Sequence, residues 1–182
     1  MTGRLVILDR DGVLNRESKS FIKSSDEWLP LAGSMEALGL LSKAGYTIAV
    51  ATNQSGLGRG LFDRQALYAM HRKLRRLAAK HGANIDRIVY CPHRPDEGCD
   101  CRKPLPGLLE RLARHYDRTL DGVPVVGDSL RDLDAASAAG ATPVLVLTGN
   151  GVATAAELAK RRRSIETHDN LLAFAKSLVN KK

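Results

Sequence analysis

Two aspartates stand two residues apart in LDRDGVLN, residues 8–15. On extended backbone that spacing turns Asp9 and Asp11 the same way and Arg10 the other. Two carboxylates facing one small volume repel, so they invite a divalent cation or a shared proton. Gly12 follows where a tight turn would need it. The same run also fits an ordinary surface turn. A second acidic pair, Asp128 and Asp132, lies in GDSLRD at the start of a helical pattern. There Asp128 could cap the helix and Asp132 favour its dipole, or both could serve the same cation. Between the pairs, TNQSG (52–56) offers a hydroxyl, amides and pliant backbone suited to phosphate oxygens. Lys103 could neutralise a phosphoryl oxygen. Taken alone, each is as well explained by a polar turn or a solvated lysine.

The chain's three cysteines fall in one short stretch, CPHRPDEGCDC, with a histidine among them. Cys91, His93, Cys99 and Cys101 supply one nitrogen and three sulfur ligands, a set that suits tetrahedral Zn2+. With all four positions filled by protein no open site is left, so the metal is expected to be structural. Three cysteines would leave one unpaired in any disulfide scheme. The only nearby base for a catalytic thiol is His93.

These residues need elements to hold them together. Apolar runs at 5–8, 46–52, 87–91, 123–128 and 142–149 read as strands. They alternate with helical patterns at 34–45, 63–81, 106–116 and 130–140, and the tail from about 152 to 182 holds one or two more. Leu67, Met70, Leu74 and Leu77 step along one helix face. Strands alternating with helices imply a doubly wound, Rossmann-like parallel sheet covered on both faces. In such sheets the site forms at the carboxyl ends of the strands. The chemically interesting residues do follow successive strands: Asp9 and Asp11 the first, Thr52 the second, the cysteine loop the third, Asp128 the fourth.

That order (an aspartate pair, Thr52, Lys103, Asp128) resembles the haloacid dehalogenase superfamily of phosphotransferases, from Leu5 to about Gly149. The resemblance implies Asp9 as nucleophile and Asp11 as general acid and base. It implies Mg2+ held by Asp9, the Asp11 backbone carbonyl and Asp128. Thr52, Arg102 and Lys103 would stabilise the phosphoryl group, with Asp132 orienting Lys103 or the metal's surroundings. The gaps between motifs leave no room for a cap domain of the ~60 residues or more that a domain requires. Within the superfamily, DRDGVLN, TNQSG and CPH…CDCRKP resemble the heptose bisphosphate phosphatases, which remove the 7-phosphate of D-glycero-D-manno-heptose 1,7-bisphosphate on the way to ADP-heptose and lipopolysaccharide core. By that resemblance, Glu17, Ser18, Lys19 and Ser20 would touch substrate together with Thr52, Asn53, Gln54, Ser55, Arg102 and Lys103. Arg59 would welcome a second anion. ESKSF (17–21) departs from the family's His-x-Gly-Tyr pattern. The rival resemblance is to the histidinol-phosphate phosphatases, which share the zinc loop.

Bulk properties set the remaining bounds. The chain has 182 residues, enough for one domain with a sizeable core. Its formal charge is +8, but aromatics make up only 4%, little material for stacking bases. A zinc-stabilised nucleic-acid-binding domain is the alternative from another class. The basic runs HRKLRR and KRRR read better as solvated helix faces. No apolar run approaches membrane length or a signal-peptide core. The expectation is therefore a cytoplasmic, monomeric enzyme of one domain, with no nucleic-acid or membrane partner and a small sugar phosphate as substrate.

Overall fold

The computed structural model describes residues 4–180. Six parallel strands form one sheet in the order β3-β2-β1-β4-β5-β6. They are β1 (Arg4–Leu8), β2 (Tyr46–Asn53), β3 (Ile85–Cys91), β4 (Pro124–Gly127), β5 (Thr142–Val146) and β6 (Glu166–His168). Seven helices connect them: α1 (Ser34–Lys43), α2 (Ser55–Gly58), α3 (Arg64–Lys80), α4 (Gly107–His115), α5 (Leu130–Ala138), α6 (Gly151–Lys160) and α7 (Leu171–Asn180). No cap domain interrupts the sheet among the described residues.

Alternation along β1 sorts the core. Val6 and Leu8 pack on one face of the sheet with Leu38 and Leu41 of α1, Leu67, Met70 and Leu74 of α3, and Phe174 of α7. Leu5 and Ile7 face the other way, onto Leu108, Leu109 and Leu112 of α4 and Ala135 and Ala136 of α5. A strand buried on both faces has no polar side, which is why these runs are continuously apolar. Asp63 caps α3 by accepting the Ala66 N–H at 2.8 Å.

The structure departs from the expected elements in three places. The fifth strand ends at Val146 rather than 149, and residues 147–150 instead turn back over the site. Thr148 Oγ1 there donates to the Gly12 carbonyl at 2.6 Å. β6 is a three-residue edge strand, ETH, with no apolar run to announce it. α2 is a single turn whose glycines hide its helicity. The lysine-rich end, residues 180–182, reads from sequence as frayed; α7 runs through Asn180, and Lys181 and Lys182 lie outside the described residues.

Candidate active site

The order of the sheet brings the ends of β1, β2 and β4 side by side, with β1 and β4 meeting at the point where the winding reverses. Asp9, Thr52 and Asp128 therefore share one crevice. The chain does not continue extended past Leu8. Leu14 and Asn15 both return their N–H groups to the Arg10 carbonyl, and Gly12 sits at φ 80°. A Cβ on Gly12 would lie 2.1 Å from Asp128 Oδ2, so only glycine fits this approach.

That turn corrects the expected placement of Arg10. Its guanidinium does not point away; it folds back onto the Asp11 carboxylate, Nη2 lying 3.0 Å from both oxygens. The spacing argument assumed extended backbone, and β1 has ended. Asp11 also accepts from Asn15 Nδ2 and from Gln54 Nε2, each at 2.8 Å. Gln54 Nε2 reaches Thr52 Oγ1 as well, at 2.9 Å, and its Oε1 takes Arg10 Nη2. The aspartate's position is thus set by three side chains that sequence spacing does not join.

Lys103 is 3% exposed and forms the hub of the site. Its ammonium donates to Asp9 Oδ1 at 2.9 Å and to the Ala51 carbonyl at 2.8 Å, and lies 2.5 Å from Asp132 Oδ1. Burial pulls its pKa down, but Asp132 and Asp9 outweigh that and hold it above the usual lysine range. Burial likewise works to raise Asp132, but Lys103 and Ser129 hold it below the carboxylate range. Asp9 is pushed up to about 8 by burial, against the pull of Lys103 and with Asp132, Asp128 and Asp11 adding to the rise. Asp128 rises to about 7, mainly through burial and Asp132. Asn53 clamps the Lys103 backbone from both sides, Nδ2 to its carbonyl at 3.0 Å and Oδ1 from its N–H at 3.1 Å. The amides of Asn53 and Gln54, expected to face phosphate, are thus engaged in holding Lys103, Arg10 and Asp11.

Asp9, Asp128 and Asp132 bring carboxylate oxygens within 4.8 Å of one another. Both Asp132 oxygens are already engaged, one by Lys103 and the other by Ser129 N and Oγ at 3.1 and 2.6 Å. Among the described residues Asp128 Oδ1 has no donor, since Asn150 N and Nδ2 occupy Oδ2 at 2.7 and 3.1 Å. The donors left over are hard carboxylate oxygens of Asp9 and Asp128, a set that fits Mg2+. Asp128 does not cap α5. Ser129 does, in a reciprocal capping box with Asp132, because Asp128 is drawn toward Asn150.

The cysteine loop closes as the sequence suggests. Cys91, His93, Cys99 and Cys101 present ligand atoms within 4.8 Å of one another. Cys91 Sγ lies 3.6 Å from Cys99 Sγ and 3.5 Å from His93 Nδ1, and Cys101 Sγ lies 3.3 Å from that nitrogen. Bonds of about 2.3 Å to sulfur and about 2.0 Å to nitrogen at tetrahedral angles give edges of this size, so the residues fit zinc. Gln54 N–H bonds the Cys91 carbonyl at 2.7 Å, tying this loop to the crevice.

A cavity of about 250 Å3 opens beside Asp11. Glu17, Ser18, Lys19, Asn53, Gln54, Ser55 and Arg102 line it, as expected, alongside Arg10 and Asp11. Ser20, Thr52, Arg59 and Lys103 do not. Arg59 is exposed and its guanidinium lies 5.8 Å over the Phe21 ring. Glu17 rises to about 6, chiefly through burial, then Asp11 and Asp9. Phe21, Phe62 and Arg131 also line the cavity and were not foreseen. Arg131 could have been suspected from its place beside Asp132, at the mouth of a site already inferred.

Comparison with known proteins identifies the class first. Residues 100–173 match a family model described as HAD-hydrolase-like. The chain is 53% identical over 176 residues to a D-glycero-beta-D-manno-heptose-1,7-bisphosphate 7-phosphatase of Pseudomonas putida, covering 97% of this chain and 99% of that one. It is 56% identical over 154 residues to the Bordetella bronchiseptica protein of the same name, covering 85% and 86%. The crystal structure of the B. bronchiseptica D,D-heptose 1,7-bisphosphate phosphatase, complexed with magnesium and phosphate, superposes with a TM-score of 0.94 at 51% identity, covering 98% and 99%. The chain belongs to the heptose-1,7-bisphosphate 7-phosphatase family of haloacid-dehalogenase-like hydrolases.

Proposed function

We propose that this chain is a phosphoric monoester hydrolase that removes the 7-phosphate of D-glycero-β-D-manno-heptose 1,7-bisphosphate, in the route to nucleotide-activated heptose for lipopolysaccharide. The observation that carries the reading is Asp9, half-buried between Lys103 and the other carboxylates. It lies in a chain 53% identical to a relative of that name across 97% of its length. The names of the relatives, which specify the β anomer, support that choice.

Asp9 attacks phosphorus, forming an aspartyl phosphate as the bond to the sugar oxygen breaks. Asp11, held by Arg10, Asn15 and Gln54, gives its proton to that oxygen. It then takes a proton from the water that attacks phosphorus, and the bond to Asp9 breaks to release inorganic phosphate. Lys103 and Thr52 hold the phosphoryl oxygens, and Asp132 and Asn53 keep Lys103 in place. Asp9 and Asp128, with the Asp11 carbonyl, would hold Mg2+, whose charge lets an anionic nucleophile meet an anionic phosphate. Cys91, His93, Cys99 and Cys101 would hold structural Zn2+, fixing the loop that carries Arg102 and Lys103. We read residues 1–182 as one cytoplasmic domain acting as a monomer on a small sugar phosphate, without a nucleic-acid or membrane partner.

A phosphate-release panel tests the reading. It compares both anomers of the heptose bisphosphate, histidinol phosphate and generic sugar phosphates, with and without Mg2+. The β-bisphosphate is expected to show the highest kcat/KM, and only with Mg2+. Greater efficiency on histidinol phosphate would overturn the assignment.

A further inference from the structure

Residues 147–150, between β5 and α6, are drawn tightly onto Asp128. Thr148 Oγ1 holds the Gly12 carbonyl at 2.6 Å. Gly149 stands at φ 58°, where a Cβ would lie 2.2 Å from Asp128 Oδ2 and 2.6 Å from Gly12 Cα. Glycine here lets the backbone come close enough for Asn150 to reach the carboxylate. The Asn150 N–H and Nδ2 donate to Asp128 Oδ2 at 2.7 and 3.1 Å, and Thr154 Oγ1 donates to the Asp128 carbonyl at 2.8 Å.

The Asn150 side-chain nitrogen also lies 3.2 Å from Glu17 Oε2. An amide nitrogen carries two N–H donors, and here it has two carboxylates to serve. Glu17 is near enough for its charge to oppose that of Asp128, so the neutral amide stands between two groups that repel. Asn150 is also the N-cap residue of α6, a place where asparagine is favoured because its side-chain oxygen accepts a free N–H of the first turn. It makes no such bond. The side chain is turned to Asp128 and Glu17 instead, and α6 is left without a side-chain cap. Helix capping therefore does not account for this asparagine; the two carboxylates do.

We propose that Asn150 is a positioning residue: it fixes the Asp128 carboxylate by Oδ2, leaves Oδ1 for Mg2+, and couples that carboxylate to Glu17 in the segment that meets substrate. This rests on the reading of Asp128 as a carboxylate that holds Mg2+. Carboxylate ligands depend on the hydrogen bonds behind them, so the bridge acts on metal affinity.

The test titrates Mg2+ by isothermal calorimetry into native enzyme, Asn150→Ala and Asn150→Ser, each dialysed free of Mg2+, with folding checked by thermal melting. Both variants are expected to raise the Kd for Mg2+ about tenfold, at the low end for a residue behind a metal ligand because the backbone N–H still holds Asp128. Activity lost at low Mg2+ should return as Mg2+ is raised, which damage to the fold would not allow. Serine caps a helix as well as asparagine does, but its single hydroxyl cannot donate to two carboxylates. A native Kd in either variant would overturn the proposal, and in Asn150→Ser alone it would reduce Asn150 to a helix cap. Glu17→Gln, alone and combined with Asn150→Ala, reads the coupling, and the two effects on Kd are expected to depart from additivity by about threefold. Additive effects would sever Glu17 from the bridge. Failure of the native enzyme to bind Mg2+ would instead refute the reading beneath, before any variant is compared.

Discussion

Asp9 works under opposed influences. Burial and three neighbouring carboxylates favour its protonated form, while Lys103 at 2.9 Å favours the charged one. Replacing it by asparagine keeps the shape and removes the proposed nucleophile. Asp9→Asn is expected to lose about 10⁴-fold or more in kcat, with an unchanged melting profile, read by phosphate release and circular dichroism. Residual turnover within about tenfold of the native rate would remove Asp9 from the mechanism. Asp9, Asp11, Thr52, Lys103 and Asp128 were all legible in the sequence, because motif order along alternating elements is a one-dimensional signal. Arg10 was not, because its direction depends on where β1 stops.

At the scale of elements, two devices hold the site. The first is the start of α5, where Ser129 caps the helix and fixes Asp132, which in turn holds Lys103. Ser129→Ala should cost about 1 kcal/mol of stability by denaturant unfolding, the usual loss for a helix cap. It should also lower kcat, since Asp132 loses a 2.6 Å donor. An unchanged kcat would show that the cap does not steady Lys103. The second is the cysteine loop after β3. Purified protein is expected to contain about one equivalent of zinc by metal analysis. Its removal by a chelator should lower the melting temperature and abolish turnover that added Mg2+ alone does not restore. Full activity of zinc-free protein would show that the loop needs no metal.

Part of the pH dependence of the whole molecule comes from a residue outside the catalytic set. His71 lies buried under the site, its pKa pushed down to about 3 by burial, then by Arg10 and Arg75. It is neutral in the fold and takes up a proton below pH ~6.5 once unfolded. Stability from this residue is therefore full above pH ~6.5 and falls as pH drops toward 3. The slope approaches about 1.4 kcal/mol per pH unit. Asp9, Asp128 and Glu17, raised in the fold, act the other way and add stability as pH falls, so the His71 contribution is read by difference: in urea unfolding from pH 7.5 to 4.5, His71→Gln should gain stability relative to the native protein as pH drops. A variant with the native slope would place the dependence elsewhere. No helix among the described residues is long and apolar enough to cross a membrane.

The sequence by itself determined the fold class, the order of the candidate catalytic motifs and the four positions of the cysteine loop that could hold a metal. Apolar runs buried on both faces can only be strands of a covered sheet, and ligands close in sequence carry their spacing with them. The tertiary structure alone decided which polar side chains face the substrate and which face one another. Asn53 and Gln54 turned out to brace the site, Arg59 to rest on Phe21, and Arg131 to line the same cavity as Arg102. Those pairings join residues far apart in the chain, through loops whose turns follow from packing rather than from local propensity.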